Sequence, residues 1–194
     1  KQYDPTNEAA LMVFQDGPGY ANRTGAWRVP VVFDNLIAQK KMPVTIALFI
    51  APGFTPDPKN PKGKDKKGRP LGKSNRSFEY DSVTDKYVTF LLEEMIPLAE
   101  SKGVKISKDA KRRAIAGASS GGICAFNAAW HRPDAFSKVF TTIGSFTNIR
   151  GGANTPIMLP LMDKNDEGRR SHYLTVHFAI PDAPAADEIV VALG

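Results

Sequence analysis

The stretch RRAIAGASSGGICAFNAAWH, residues 112 to 131, decides how this sequence folds. A short apolar run enters a glycine-rich turn, GASSGG (117 to 122), and a small-residue, helix-forming run leaves it. Gly117, Ala118, Ser119, Ser120 and Gly121 spell G-x-S-x-G at this strand-to-helix junction. In that context the serine occupies a sharp turn that lifts its hydroxyl clear of the sheet, and the glycines are needed because side chains there strike neighbouring backbone. The next helix aims its N-terminus at the same spot, so the Ser120 N–H and the helix dipole can hold an oxyanion. Ser119 is therefore the candidate nucleophile, and the competing reading is a structural turn. Five residues match by chance often, so the weight comes from where the motif falls in the order of elements.

Working outward, ALMVFQ (10 to 15) is a short apolar run stopped by DGPG, which reads as a buried strand ending in a tight loop. Val29, Val32, Phe33, Leu36 and Ile37 fall at helical spacing, with Pro30 near the start and Pro43 past the end. VTIALFI (44 to 50) is apolar on both faces, as expected of a strand covered by helices on both sides. Ser82 with Asp85 gives a capping-box-like start to a second helix with an apolar stripe of Val88, Leu91, Leu92 and Met95; Pro97 should kink or end it. KVFTTIG (138 to 144) is another strand. Alternation of this kind predicts an α/β fold, a mostly parallel sheet with helices on both faces, because each parallel pair needs a right-handed crossover. Ligands of such sheets bind at the carboxyl ends of strands, where both DGPG and GASSGG lie.

At 194 residues with 42% apolar side chains, the chain can bury one sizeable core, so a single domain over 1–194 is expected. No run of about 18 apolar residues exists to span a membrane, and KQYDPTNEAA shows no export signal, as a processed N-terminus would also not. The one cysteine, Cys124, excludes an internal disulfide and reads as a buried thiol. The net charge of +6 belongs to a single Pro/Gly-rich loop within 55–74, where Lys59 to Lys73 holds seven basic residues and one acid; the rest of the chain balances. A flexible, solvated loop is the plain reading and a lip attracting an anionic substrate the sharper one. No aromatic residue interleaves the lysines for base stacking, which argues against a nucleic-acid partner. GPGYAN lacks the third glycine of a dinucleotide fingerprint, and GASSGG lacks the Lys-Ser/Thr of a triphosphate loop. His131, His172 and His177 have no cysteine or carboxylate at ligand spacing, so no metal is expected.

Four stretches, ALMVFQDGPGY, NRSFEYDSVTDKYVTFLLEEMIP, GASSGGICAFNAAWHRPDAF and IGSFTNIRGG, resemble the enterochelin-esterase-like branch of an esterase family related to feruloyl and acetylxylan esterases and mycolyltransferases. The resemblance covers residues 1 to about 152. It implies an α/β-hydrolase fold with further strands before residue 1 and beyond the tail, and serine ester hydrolysis through an acyl-enzyme with no cofactor. The substrate it implies is a small-molecule or carbohydrate ester. Ser119 matches the family nucleophile and Ser120 one oxyanion donor, while the second donor comes from DGPG. Pro18 has no N–H, so that donor is Gly17 or Gly19, with Gly17 favoured. Tyr20 and Trp27 are candidates to line an ester pocket, with core packing the alternative for Trp27.

Beyond Gly152 the tail, 153–194, departs from the family pattern. The acid and then the histidine should follow the nucleophile in chain order. HYLTVHFAI (172 to 180) is a candidate late strand with Asp182 after it as the topological candidate for the acid. No histidine follows Asp182; His177, within the strand, is the candidate base, while His172 lies at the strand's start and His131 ends the helix after the elbow, and a structural role is the competing reading for each of the three. Three functions follow: a serine esterase, an acyltransferase on the same fold, and a non-catalytic domain that keeps the pocket without a complete triad. Relatives by resemblance are often exported, which leaves the compartment open.

Overall fold

The structure, a computed structural model, describes residues 2–144 and the strand 190–192. Its centre is a parallel sheet of β1 (Ala10–Gln15), β2 (Thr45–Ile50), β5 (Arg113–Ala118), β6 (Lys138–Thr142) and β7 (Val190–Ala192), in the order β2-β1-β5-β6-β7. Side chains alternate across it. Leu11, Val13 and Ile115 point to one face, against Val88, Leu91, Ile96, Phe126 and Phe136. Phe14 and Ala116 point to the other, where Tyr20, Val29 and Phe33 close a smaller aromatic cluster.

The helices supply those two layers. α1 (Gly17–Ala21) and α2 (Val29–Ala38) lie between β1 and β2 in the chain and cover the aromatic face. α3 (Arg76–Tyr80), α4 (Lys86–Phe90), a π turn (Leu91–Met95), α5 (Ile96–Glu100) and α6 (Ser120–His131) cover the larger cluster. Asn127 of α6 donates to the Thr84 carbonyl at 2.8 Å, which ties α6 to the loop before α4. Chain order therefore reverses at the β1/β5 pair: β1 leads outward to β2, and β5 leads the opposite way to β6. The carboxyl ends of β1 and β5 flank the topological switch point, the position at which such sheets bind ligands.

Several expectations are corrected. β2 is the edge of the sheet among the described residues, paired only with β1, and Thr45 to Phe49 are half-buried rather than covered on both faces. Pro97 neither ends nor breaks its helix, which runs to Glu100: the Ile96 N–H reaches back to Leu91 in the π turn, so Pro97 enters in the first turn of a fresh α segment, where no N–H is needed. The helix after Ser82 begins at Lys86, and no side-chain cap forms there; the Ser82 hydroxyl donates instead to the Phe78 carbonyl. The basic stretch read as a flexible loop carries structure of its own, with β3 (Phe54–Pro56) and β4 (Gly72–Ser74) pairing antiparallel at its base. Asp65 organises its tip, accepting from the Lys67 and Arg69 N–H groups and pairing with the Arg69 guanidinium at 2.7 Å. The neighbour of β6 is Val190–Ala192, where no strand was expected.

Candidate active site

Ser119 sits between β5 and α6 at φ 55°, ψ −122°. That conformation is close to forbidden for a residue with a Cβ and costs about 1–3 kcal/mol. The surroundings hold it there. The Ser119 N–H donates to the Thr142 carbonyl of β6 at 3.1 Å, and the Ser119 carbonyl accepts from Gly122 and Ile123 at 2.9 and 3.2 Å. The first-turn donors of α6 that lack a helical partner are thus those of Ser120 and Gly121. The glycines are sterically required: a Cβ on Gly117 would lie 2.2 Å from the Gly121 carbonyl oxygen, and one on Gly122 would lie 2.3 Å from Thr141 Oγ1. Ser120 is buried, and its hydroxyl has no hydrogen-bond partner among the described residues.

The loop after β1 has a parallel construction. Asp16 adopts φ 59°, ψ 38°, and Gly17 opens α1 with Pro18 in its first turn. A Cβ on Gly17 would meet the Phe49 carbonyl carbon at 2.3 Å, so glycine is needed to pass the end of β2. The Gly19 N–H is given to the Asp16 carbonyl at 3.1 Å. Gly17, at the first helical position, has no intrahelical acceptor for its own N–H. Asp16 reaches the elbow directly, since a Cβ on Gly121 would lie 3.2 Å from Asp16 Oδ2.

Tyr20 is 3% exposed and packs on Phe14 and Trp27, with ring centroids 5.1 and 5.0 Å apart. Its ring is therefore core beneath the loop rather than an open wall. Burial pushes its phenol up to about 12, assisted by the Asp16 charge. Trp27 is 41% exposed. Cys124 is fully enclosed and burial holds its thiol well above the usual range, as an inert core cysteine requires.

His131 closes α6 at the end opposite Ser119, about 18 Å away at 1.5 Å per residue, and cannot act as base to that hydroxyl. His172, His177 and Asp182 lie outside the described residues. Among the described residues, no three His, Cys, Asp or Glu side chains converge on a metal site, and no helix is long and apolar enough to cross a membrane.

Sequence reasoning named Ser119, Ser120 and Gly17 but missed Arg76. This residue, 60 positions from Asp16, binds its carboxylate through two hydrogen bonds, Nε to Oδ1 at 2.8 Å and Nη2 to Oδ2 at 2.7 Å. A charged residue inside RSFEY carries no local signal of a partner in DGPG.

A strained serine at the switch point of a parallel, helix-covered sheet defines the α/β-hydrolase class. Within that class the chain belongs to the family described as "Putative esterase", whose model matches residues 1–149. A second family model, "Amino acid synthesis", matches residues 114–194, and so takes in the tail that departs from the esterase pattern. The enterobactin esterase of Shigella flexneri, solved with enterobactin, is similar in structure, with TM-score 0.57 at 23% identity over 81% of this chain and 35% of its own. The ferric enterobactin esterase of Salmonella typhimurium matches with TM-score 0.52 at 24% identity over 72% and 29%. A ferulic acid esterase matches with TM-score 0.50 at 22% identity over 75% and 51%. This chain thus spans about a third of the length of the solved enterobactin esterases. No curated protein matches it.

Proposed function

We propose that this chain hydrolyses carboxylic esters through an acyl-enzyme on Ser119. One observation supports the reading above the rest: a non-glycine residue held at φ 55°, ψ −122° by β6 and two close-packed glycines, a strain that a merely connecting turn has no reason to keep. In this reading Ser119 Oγ attacks the ester carbonyl carbon while its proton passes to a base. The carbonyl electron pair moves onto oxygen, where the N–H groups of Ser120 and Gly17 receive the developing charge. Collapse of that intermediate expels the alcohol, and water then cleaves the acyl-serine. Gly17 is preferred to its neighbours because Pro18 has no N–H and that of Gly19 is already given to Asp16. Asp182 as acid and His177 as base remain the candidates of the sequence for completing the triad.

The relatives act on enterobactin and ferulic acid esters by name, and the substrate class proposed here is the broader one, a small-molecule or carbohydrate ester. The test is burst kinetics with an activated aryl acetate and labelling by a fluorophosphonate probe. Stoichiometric label on Ser119, abolished in Ser119→Ala, is expected; absence of both turnover and label overturns the proposal. The match of residues 114–194 to a different family favours one second reading, a domain that keeps the pocket without a working triad. That domain would bind a product acid equally well in wild type and Ser119→Ala and turn over nothing.

A further inference from the structure

Asp16 places a carboxylate against the first turn of α6, beside the proposed oxyanion donors. Left alone, a full negative charge at that position would oppose the negative charge that develops on the substrate oxygen. It is not left alone. The Arg76 fork closes on both carboxylate oxygens, at 2.8 and 2.7 Å, with the two side chains 30% and 34% exposed. Tyr80 adds a second hold on the same residue, its hydroxyl accepting the Asp16 backbone N–H at 3.1 Å. The Tyr80 ring carries the guanidinium 5.4 Å above its centroid and is itself fixed edge-to-face on Tyr87. The Asp16 carbonyl is taken by Gly19. Every polar group of the residue that precedes Gly17 is therefore engaged, and two of the partners come from α3.

We propose that Arg76, supported by Tyr80, is a positioning residue for the oxyanion loop: it neutralises the Asp16 carboxylate and fixes the turn that presents the Gly17 N–H. The inference rests on the ester-hydrolase reading above. A bidentate guanidinium does both tasks at once, since its planar fork sets the orientation of the carboxylate as well as cancelling its charge. A lysine would supply the charge without the fork. Asparagine at position 16 with glutamine at position 76 would remove the charge problem and keep the loop polar.

The experiment compares wild type, Arg76→Lys, Arg76→Gln and the double variant Asp16→Asn/Arg76→Gln in the 194-residue chain, with an aryl acetate and a fluorophosphonate. Arg76→Gln should lower kcat and the labelling rate of Ser119 about 10- to 100-fold with KM within about twofold, the signature of an interaction felt in the transition state. Arg76→Lys should fall between it and wild type. The double variant should recover about tenfold or more over Arg76→Gln, which loss of a purely structural contact would not give. An unchanged kcat, a rise in KM alone, or no recovery in the double variant overturns the inference while the ester-hydrolase reading stands. A wild-type chain that neither turns over nor labels at Ser119 defeats both together. If Arg76→Gln fails to fold by near-UV circular dichroism, Arg76→Lys carries the same kcat-against-KM comparison.

Discussion

The two junctions at the centre of this molecule, β1 to α1 and β5 to α6, are built to one plan and secured in different ways. Each turns on a polar, non-glycine residue at positive φ, Asp16 at 59° and Ser119 at 55°. Each is flanked by a glycine whose Cβ would strike backbone. The elbow at Ser119 is locked by main chain: its N–H reaches β6, its carbonyl caps α6, and its glycines touch one another. The turn at Asp16 is locked by side chains from α3, and the helix it opens has only 5 residues. The serine proposed as nucleophile is thus held by the sheet itself, whereas the loop facing it depends on a salt bridge that substitution can tune.

The largest effects should come from crowding the glycines. Gly117→Ala drives a methyl from the central strand β5 into the Gly121 carbonyl in the first turn of α6, and should cost about 3 kcal/mol or more in urea unfolding. Gly17→Ala meets the Phe49 and Ile50 backbone just as closely, but β2 is the sheet edge among the described residues and can yield. It should cost at least about 1 kcal/mol less than Gly117→Ala; equal costs would mean that the edge is as rigid as the centre. The sharper contrast uses one substitution at both pivots. Ser119→Gly relieves the strain at φ 55°, ψ −122° and should raise stability by about 1 kcal/mol while abolishing phosphonate labelling. Asp16→Gly suits its backbone equally well but forfeits the Arg76 pair, and should lower stability by about 1 kcal/mol after allowing for partial exposure. Thermal melts giving the same sign for both would erase the distinction between the junctions.

The same difference explains what was legible in the sequence. The elbow is read easily because everything that makes it, Gly117 to Gly122, is contiguous, and the strand and helix on either side have clean apolar patterns. The β1, α2, β5, α6 and β6 boundaries follow from those patterns to within two residues. What periodicity does not encode is neighbour order: Thr45 to Ile50 look fit for a covered strand, yet only the crossover from β2 back past β1 to β5 decides that they form an edge. α1 was hidden because GPGYA reads as a turn, although Pro18 in its first turn is a helix-start signal. β3 and β4, three exposed residues each, have no alternation to detect. The Arg76 pairing with Asp16 was invisible for the simplest reason, that a contact across 60 residues leaves no local trace.

The smallest predicted effect concerns the underside of the Asp16 turn. Tyr20 is buried with its hydroxyl unpartnered among the described residues, and burial first, then the Asp16 charge, raises its phenol from 10.0 to about 12. The folded state therefore holds the Tyr20 proton more tightly than the unfolded chain does. The resulting stability is whole below pH 10 and is lost as pH rises from 10 toward 12. Tyr20→Phe has no proton to lose and so escapes this fall, and it should match wild type to within about 0.5 kcal/mol at neutral pH, or exceed it slightly, because no hydrogen bond among the described residues is lost. Its advantage should then grow on going from about pH 8 to about pH 11, read as the difference in urea midpoints. Tyr80 and Tyr87, which burial also raises, are common to both proteins and cancel in that difference. A constant difference across this range would mean that the Tyr20 phenol ionises alike in folded and unfolded chains, and that the floor beneath the Asp16 turn is open to water in a way the elbow's is not.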